Sequence, residues 1–405
     1  MSPRTATCRC AETLVDLDQT LCGCIRFSLA AFSNLTVLEL AELNLEDEGV
    51  GELATGLFQA EVLRKLTMRE VCVSDSGWSA LGSALRVNCS ITDLRLPHSM
   101  TPGSVGPLCN ALKHNRVLTS LDLSHNVISH ECLRPLAEVV LGSPILTTLC
   151  LSDASLIAGC GGTLGEMLCF NGRAAAALTR LDLSHNCLRS ESLGLLCASL
   201  SSEPPTRLTS LDLSHTGMDD MAVAALIAAF QFQPSLAILT LKGNMMTAYG
   251  AEILSGAVKG ATGIRELRLG GNLLIGNAGA RNFANNLTVG QTRHLTHLDL
   301  SDCQVGDQGG AGLATALRSN TTLRALDLSR NQMTEAGRHH YRGKSMTKQY
   351  LKPLALAVTL ALSLSACGKS DEQAAAPAPA STAPVNGFVN AKWVAANPGQ
   401  SLRRR

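Results

Sequence analysis

Five residues recur at one position of a repeating pattern, and their types invite a chemical reading first. They are His98, His125, Asp153, His185 and His215. Imidazole and carboxylate on neighbouring strands about 4.8 Å apart can share a proton or a metal ion. Surface histidines that recur with a motif usually belong to the motif, so no metal is expected there. Two further clusters have a reactive composition. Cys8-Arg9-Cys10 and Cys22-Gly23-Cys24 form two C-x-C pairs. Structural zinc sites place two to four residues inside each pair rather than one, so free thiols in an N-terminal cap are the expectation. Gly368-Lys369-Ser370 has the end of a phosphate-binding loop, but Ser363 stands where the first glycine of that loop is needed. A nucleophile elbow, a zinc-protease helix and a dinucleotide fingerprint do not occur. The chain reads as a protein that is not an enzyme and carries no cofactor.

The elements that would position these side chains follow from the stretch Leu118 to Ile128, LTSLDLSHNVI. Leu121 and Leu123 alternate, so both face one side of a strand. Such a strand cannot bury its apolar face alone, and copies must stack. Eleven copies occur, beginning at Leu35, Leu63, Ile91, Leu118, Leu146, Leu178, Leu208, Leu236, Ile264, Leu295 and Leu323. Six of the ten steps between them are 28 residues, and the others run from 27 to 32. The turn position holds Asn126, Asn186, Asn244, Asn272 and Asn331, with Ser99, Thr216 and Cys303 as polar stand-ins. An amide side chain can both donate to and accept from the backbone groups that a tight turn leaves unpaired. Leu43, Val71 and Ala154 have no such side chain, so those turns must be satisfied from elsewhere.

A period near 28 leaves room for a helix in each return segment, which shorter repeats lack. Met221 to Phe230 and Gly309 to Leu317 carry apolar residues at helical spacing, with alanine and glycine that permit close helix packing. Over about residues 31–337 the chain resembles the ribonuclease-inhibitor-like leucine-rich repeat family, which includes repeat regions of nucleotide-binding receptors and of Ran GTPase activators. The resemblance implies an α/β solenoid, a horseshoe with parallel strands on the concave face and helices on the convex face. It says almost nothing about the activity.

Three domains are expected. Residues 1–33 form an N-terminal cap, with a capping helix between Thr13 and Phe32, and 34–337 form the eleven repeats. Three longer returns, at Arg173 to Ala177, Ser201 to Pro205 and Gly290 to Thr292, should bulge at the rim. Residues 338–405 form an unrelated tail, because the helical half of the last repeat reads His339-His340-Tyr341-Arg342-Gly343-Lys344-Ser345 where apolar residues are needed. After Met346 and two lysines, an apolar run from Pro353 to Ala366 ends in Leu364-Ser365-Ala366-Cys367. That run is too short to span a membrane and right for a signal-peptide core. It resembles the signal and lipobox of bacterial lipoproteins, which implies Cys367 as a lipidation candidate and a flexible Ala/Pro tether after it. An internal position is non-functional for such a signal, so a junction between two sequences is read near residues 338–346.

Composition bounds the partner. A net charge of +1 gives no pull toward nucleic acid or anionic membrane. Aromatic content of 3% disfavours a base-stacking platform. Most of the fifteen cysteines sit singly in the repeats, Cys72, Cys132, Cys150, Cys187 and Cys197 among them. They read as small buried hydrophobes in a reducing, cytoplasmic compartment. The solenoid's inner face is the expected site. Its column between the two strand leucines reads Glu39, Thr67, Arg95, Asp122, Cys150, Asp182, Asp212, Thr240, Arg268, Asp299 and Asp327. With three further exposed columns it carries twelve acids and seven bases, an acidic tilt that would steer a basic partner patch. The expected function is a monomeric protein-interaction scaffold, with Asp122, Asp182, Asp212, Arg268, Asp299, Asp327, His125, His185 and His215 as partner-binding residues. The alternatives are a GTPase-activating protein of the Ran-activator type and a recognition fragment of a larger receptor or effector.

Overall fold

The computed structural model describes residues 35–42, 45, 47–71, 73–168, 177–201, 206–230, 232–260, 263–288 and 294–334, with the strands Ala6–Arg9 (β1) and Leu14–Leu17 (β2). The two short strands pair antiparallel. The strand Leu14–Leu17 lies inside the segment Thr13 to Phe32 where a capping helix is expected, and residues 18–32 of that segment lie outside the described residues. Val15 within the strand is β-branched, a residue type that strands favour.

Eleven strands form one parallel sheet in sequence order. They are β3 (Val37–Ala41), β4 (Lys65–Arg69), β5 (Asp93–Arg95), β6 (Ser120–Asp122), β7 (Thr148–Cys150), β8 (Arg180–Asp182), β9 (Ser210–Asp212), β10 (Ile238–Thr240), β11 (Glu266–Arg268), β12 (His297–Asp299) and β13 (Ala325–Asp327). Ten helices alternate with them among the described residues: α1 (Asp47–Gln59), α2 (Asp75–Val87), α3 (Val105–Leu112), α4 (His130–Gly142), α5 (Gly161–Leu168), α6 (Arg189–Leu200), α7 (Asp220–Phe230), α8 (Ala248–Gly260), α9 (Gly276–Asn286) and α10 (Asp307–Leu317). Strands stack about 4.8 Å apart and helices about 8–10 Å apart. The array therefore bends with its sheet inside and its helices outside.

The register places the middle leucine of each repeat opposite the next. Leu149 pairs with Leu181, Leu181 with Leu211, and Leu267 with Leu298. Those three junctions hold the lengthened returns, so the sheet is continuous across them. The inserted residues themselves lie largely outside the described segments, at 169–176, 202–205 and 289–293. Behind the sheet, Leu38, Leu66, Leu94, Leu121, Leu211 and Leu239 have no exposed surface. Gly82 and Gly309 let neighbouring helices close, since a Cβ on either would stand 3.0 Å from the methyl of Ala111 or Ala280.

Asparagine does more than close its own turn. The Asn186 amide donates to the carbonyls of Leu183 and Ser184 in its own repeat, at 2.9 and 3.1 Å, and to Leu151 of the repeat before, at 2.7 Å. Its Oδ1 accepts the N–H groups of Ala154 and Leu156 at 3.0 Å. This is how the turn at Ala154 is satisfied. The turn at Val71 is met the same way, by the hydroxyl of Ser99 at 3.2 Å. Asn126, Asn244 and Asn331 repeat the arrangement. A second ladder runs at the helix ends. Asn88, Asn115 and Asn320 donate to the carbonyls of Leu57, Leu85 and Leu287, each one repeat back.

The cysteines divide. Cys109, Cys160, Cys197 and Cys303 are buried, as small hydrophobes should be. Cys187 is instead exposed and Cys132 and Cys150 are half-buried, because Cys187 follows the turn asparagine and points off the edge, and Cys150 lies on the open face of its strand. Cys72, the thiols of the N-terminal C-x-C pairs, Gly368-Lys369-Ser370 and Cys367 lie outside the described residues.

Candidate protein-binding face

The open face of the sheet is built by one strand and one turn per repeat. In repeats reading Leu-Asp-Leu-Ser, the aspartate leaves the strand on the open side and its Oδ1 accepts the N–H of the serine two residues on. The distance is 2.9 Å at Asp122, Asp182, Asp212 and Asp299, and 2.8 Å at Asp327. Each of these carboxylates thus fixes its turn with one oxygen. Asp212 accepts the Ser214 hydroxyl as well, at 2.6 Å. Burial raises the Asp212 carboxyl above the ordinary range despite those bonds, and the charge of Asp182 adds to the rise.

The charges along the face are not paired evenly. In the first three repeats Lys65 binds Glu39, Arg69 binds Glu42 and Glu70, and Arg95 binds Asp93. Toward the other end Lys242 binds Asp299 at 2.6 Å and Arg268 binds Glu266 at 2.8 Å. Burial opposes ionisation of Asp299, but the Lys242 ammonium and the Ser301 groups hold it below the usual carboxylate range. Asp122, Asp182 and Asp212, between these two ends, are in no ion pair among the described residues. Cys150 sits in the same column between Asp122 and Asp182. Burial pushes its thiol up to about 12, with both aspartates adding to the rise, so it stays protonated at neutral pH and is a poor nucleophile or metal ligand.

The histidine column occupies a special backbone position. His98, His125, Asp153, His185 and His215 all have φ between 50° and 58°, the left-handed region in which Asn, Asp and His are enriched among residues other than glycine. That conformation turns each side chain along the stack. His98 and His125 stack with ring centroids 4.5 Å apart, and His185 and His215 at 4.4 Å. His125 Nδ1 lies 3.0 Å from Asp153 Oδ2. Burial and the neighbouring His185 lower the His215 pKa, while Asp212 opposes the shift. Among the described residues no group of three or more His, Cys, Asp and Glu is placed to hold a metal ion.

The nine expected partner-binding residues therefore fall into two zones. Asp122, Asp182, Asp212, His125, His185 and His215 share the middle of the face. Arg268 and Asp299 are engaged by Glu266 and Lys242, and Asp327 sits on the last described strand. Asn88, Asn115 and Asn320 were hidden to sequence reading, which followed the strand motif alone. Their signal was the recurrence of Asn three residues before the first apolar residue of a repeat.

A family model described as Leucine Rich repeat matches residues 114–137, 177–197, 291–314 and 319–338. The chain is 28% identical over 333 residues to "Ribonuclease inhibitor" of Sus scrofa, covering 74% of this chain and 71% of that protein. It is 30% identical over 278 residues to "NACHT, LRR and PYD domains-containing protein 14" of Mus musculus, covering 67% of this chain and 24% of that protein. A solved structure, "Crystal structure of Rad7 and Elc1 complex in yeast", superposes with a TM-score of 0.40 at 16% identity, over 71% of this chain and 73% of that one. No helix of the described residues is long and apolar enough to cross a membrane. With the eleven-stranded parallel sheet and its alternating helices, the family-model match and the likeness to ribonuclease inhibitor support a leucine-rich repeat solenoid of ribonuclease-inhibitor-like character.

Proposed function

We propose that this protein is an interaction scaffold, and that it binds a protein partner bearing a basic patch through the strand face of its fourth to seventh repeats. One observation carries the reading. Asp122, Asp182 and Asp212 stand on that face in no ion pair among the described residues, with Arg95 and Arg268 acting on Asp122 and Asp212 only through their charge, whereas the acids of the flanking repeats are largely engaged directly by lysine or arginine. Carboxylates that no cation contacts directly steer a basic surface and set its register. The relative named ribonuclease inhibitor has a ribonuclease as its target by name, so a ribonuclease is one candidate partner. The test is capture by the full chain from cell extract, repeated with Asp122→Asn, Asp182→Asn and Asp212→Asn combined. The partner should be lost from the variant and from the wild type at high salt. Capture that survives both would remove the reading.

A second reading is favoured by the match to the NACHT-containing protein, of which the chain spans about a quarter. In it the repeats are the recognition region of a larger receptor. A longer reading frame before Met1 encoding a nucleotide-binding domain would support that reading.

A further inference from the structure

The edge where each strand turns into its helix carries a group of exposed apolar residues in three successive repeats. Five residues there are large, apolar and exposed: Met221 (76%), Met245 (61%), Tyr249 (62%), Leu273 (47%) and Leu274 (60%). They come from three successive repeats. Met221 and Tyr249 are both the second residue of their helices, α7 and α8. Met245 and Leu273 both follow the turn asparagine, after Asn244 and Asn272. The Met245 N–H donates to the Met218 carbonyl at 2.8 Å, and Thr247 bridges to Leu274, so the three repeats are tied together along this edge. Elsewhere the same repeat position holds Ser76, Ser104, Glu131, Glu191 or Gln308, and the position after the turn holds Ser155, Gln304 or Gln332 as well as the exposed Val127. Polar residues serve the fold at those positions, so folding does not require apolar ones. A contiguous exposed apolar patch marks an interaction site, and methionine adapts to varied partners.

Charge says what kind of partner. The edge segments 187–192, 217–222, 245–250, 273–278 and 304–309 contain Glu191, Asp219, Asp220 and Asp307 against Arg189 alone. Asp219 accepts the Ala222 N–H at 3.0 Å, and Asp220 accepts both the N–H and the hydroxyl of Thr247. These carboxylates cap helix and turn groups. A full negative charge exceeds the half charge of a helix N-terminus, so the rim of the patch stays acidic.

We propose that this edge is a second docking surface, separate from the strand face, and that it takes an apolar protein segment flanked by lysine or arginine. Methionine, tyrosine and leucine receive the apolar side chains, and the carboxylates on either side receive the basic flanks.

The test uses the full chain and two fluorescent helical peptides with the same leucine face, one with lysine on its polar face and one with glutamate. At about 0.15 M salt, where only near charges act, the lysine peptide should bind about tenfold more tightly than the glutamate peptide. Met245→Asp combined with Leu274→Asp should weaken it about tenfold. Circular dichroism should be unchanged, because both side chains are exposed. The combined Asn variant of Asp122, Asp182 and Asp212 should leave binding within about twofold, which separates this surface from the strand face. Equal binding of the two peptides would overturn the proposal. So would loss in the strand-face variant with none in the edge variant, or binding that no variant changes.

Discussion

Asn186 joins two repeats through five hydrogen bonds from one buried amide. Replacing it by alanine leaves backbone groups of both repeats without partners, and each buried orphan costs about 1–3 kcal/mol. Asn186→Ala should lower stability in urea by at least about 2 kcal/mol. An unchanged midpoint would mean that water takes over the ladder. His215 has a pH signature. Its folded-state pKa lies below the ordinary 6.5, through burial and the charge of His185. Below pH 6.5 the unfolded chain then binds the proton more readily than the folded one. Stability is therefore full above that pH and falls as pH drops toward the folded value, with the unfolded state holding more protons in that window. The facing groups are His185, stacked on it, and Asp212, which opposes the shift. His215→Asn suits the left-handed backbone and should flatten this slope below about pH 6.5. A slope equal to the wild type's would assign it to other groups. The aspartates and histidines of the face were legible in the sequence because each sits at a fixed step from a strand leucine. Which carboxylates stand unpaired was not legible. Lys242 reaches Asp299 two strands away, a pairing that depends on side-chain direction rather than on sequence spacing.

Helices show the same division between pattern and geometry. The alanine and glycine content of the return segments announced close packing, and α7 and α10 lie where helical spacing placed them. Which glycines matter could not be read, because that depends on the neighbouring helix. A Cβ on Gly309 would stand 2.8 Å from the Val305 side chain, 2.9 Å from the Asn277 carbonyl oxygen and 3.0 Å from the Ala280 methyl, whereas one on Gly256 meets nothing within 4 Å. Alanine is favoured over glycine in a helix by about 0.5–1 kcal/mol. Gly256→Ala in α8 should therefore raise the thermal midpoint, and Gly309→Ala in α10 should lower it. Two shifts of the same sign would show that the helices can separate without cost.

At the scale of the molecule, every strand of the large sheet pairs only with its neighbours in sequence. Stability in such an array is close to a sum of repeat and neighbour contributions. Deleting residues 236–263 removes one 28-residue period and brings β9 against β11, with Leu211 facing Leu267. Asn272 then inherits the contacts that Asn244 makes with Thr216, Met218 and Leu213. The shortened chain should fold cooperatively, with a denaturant m-value lower by about one part in eleven. Aggregation, or a two-step transition, would show that the repeats are not interchangeable at this position.

The left-handed column gives this modularity a direction of change. Because the backbone at that position is set by the turn and not by the side chain, it accepts Glu42, His98, Asp153, Gly243 and Arg330 alike. Successive duplications can thus alter the chemistry presented at each rung while the spacing between rungs is inherited intact. A lineage carrying such a chain can drift toward a new target one rung at a time, as long as each slip of the gene is a whole period.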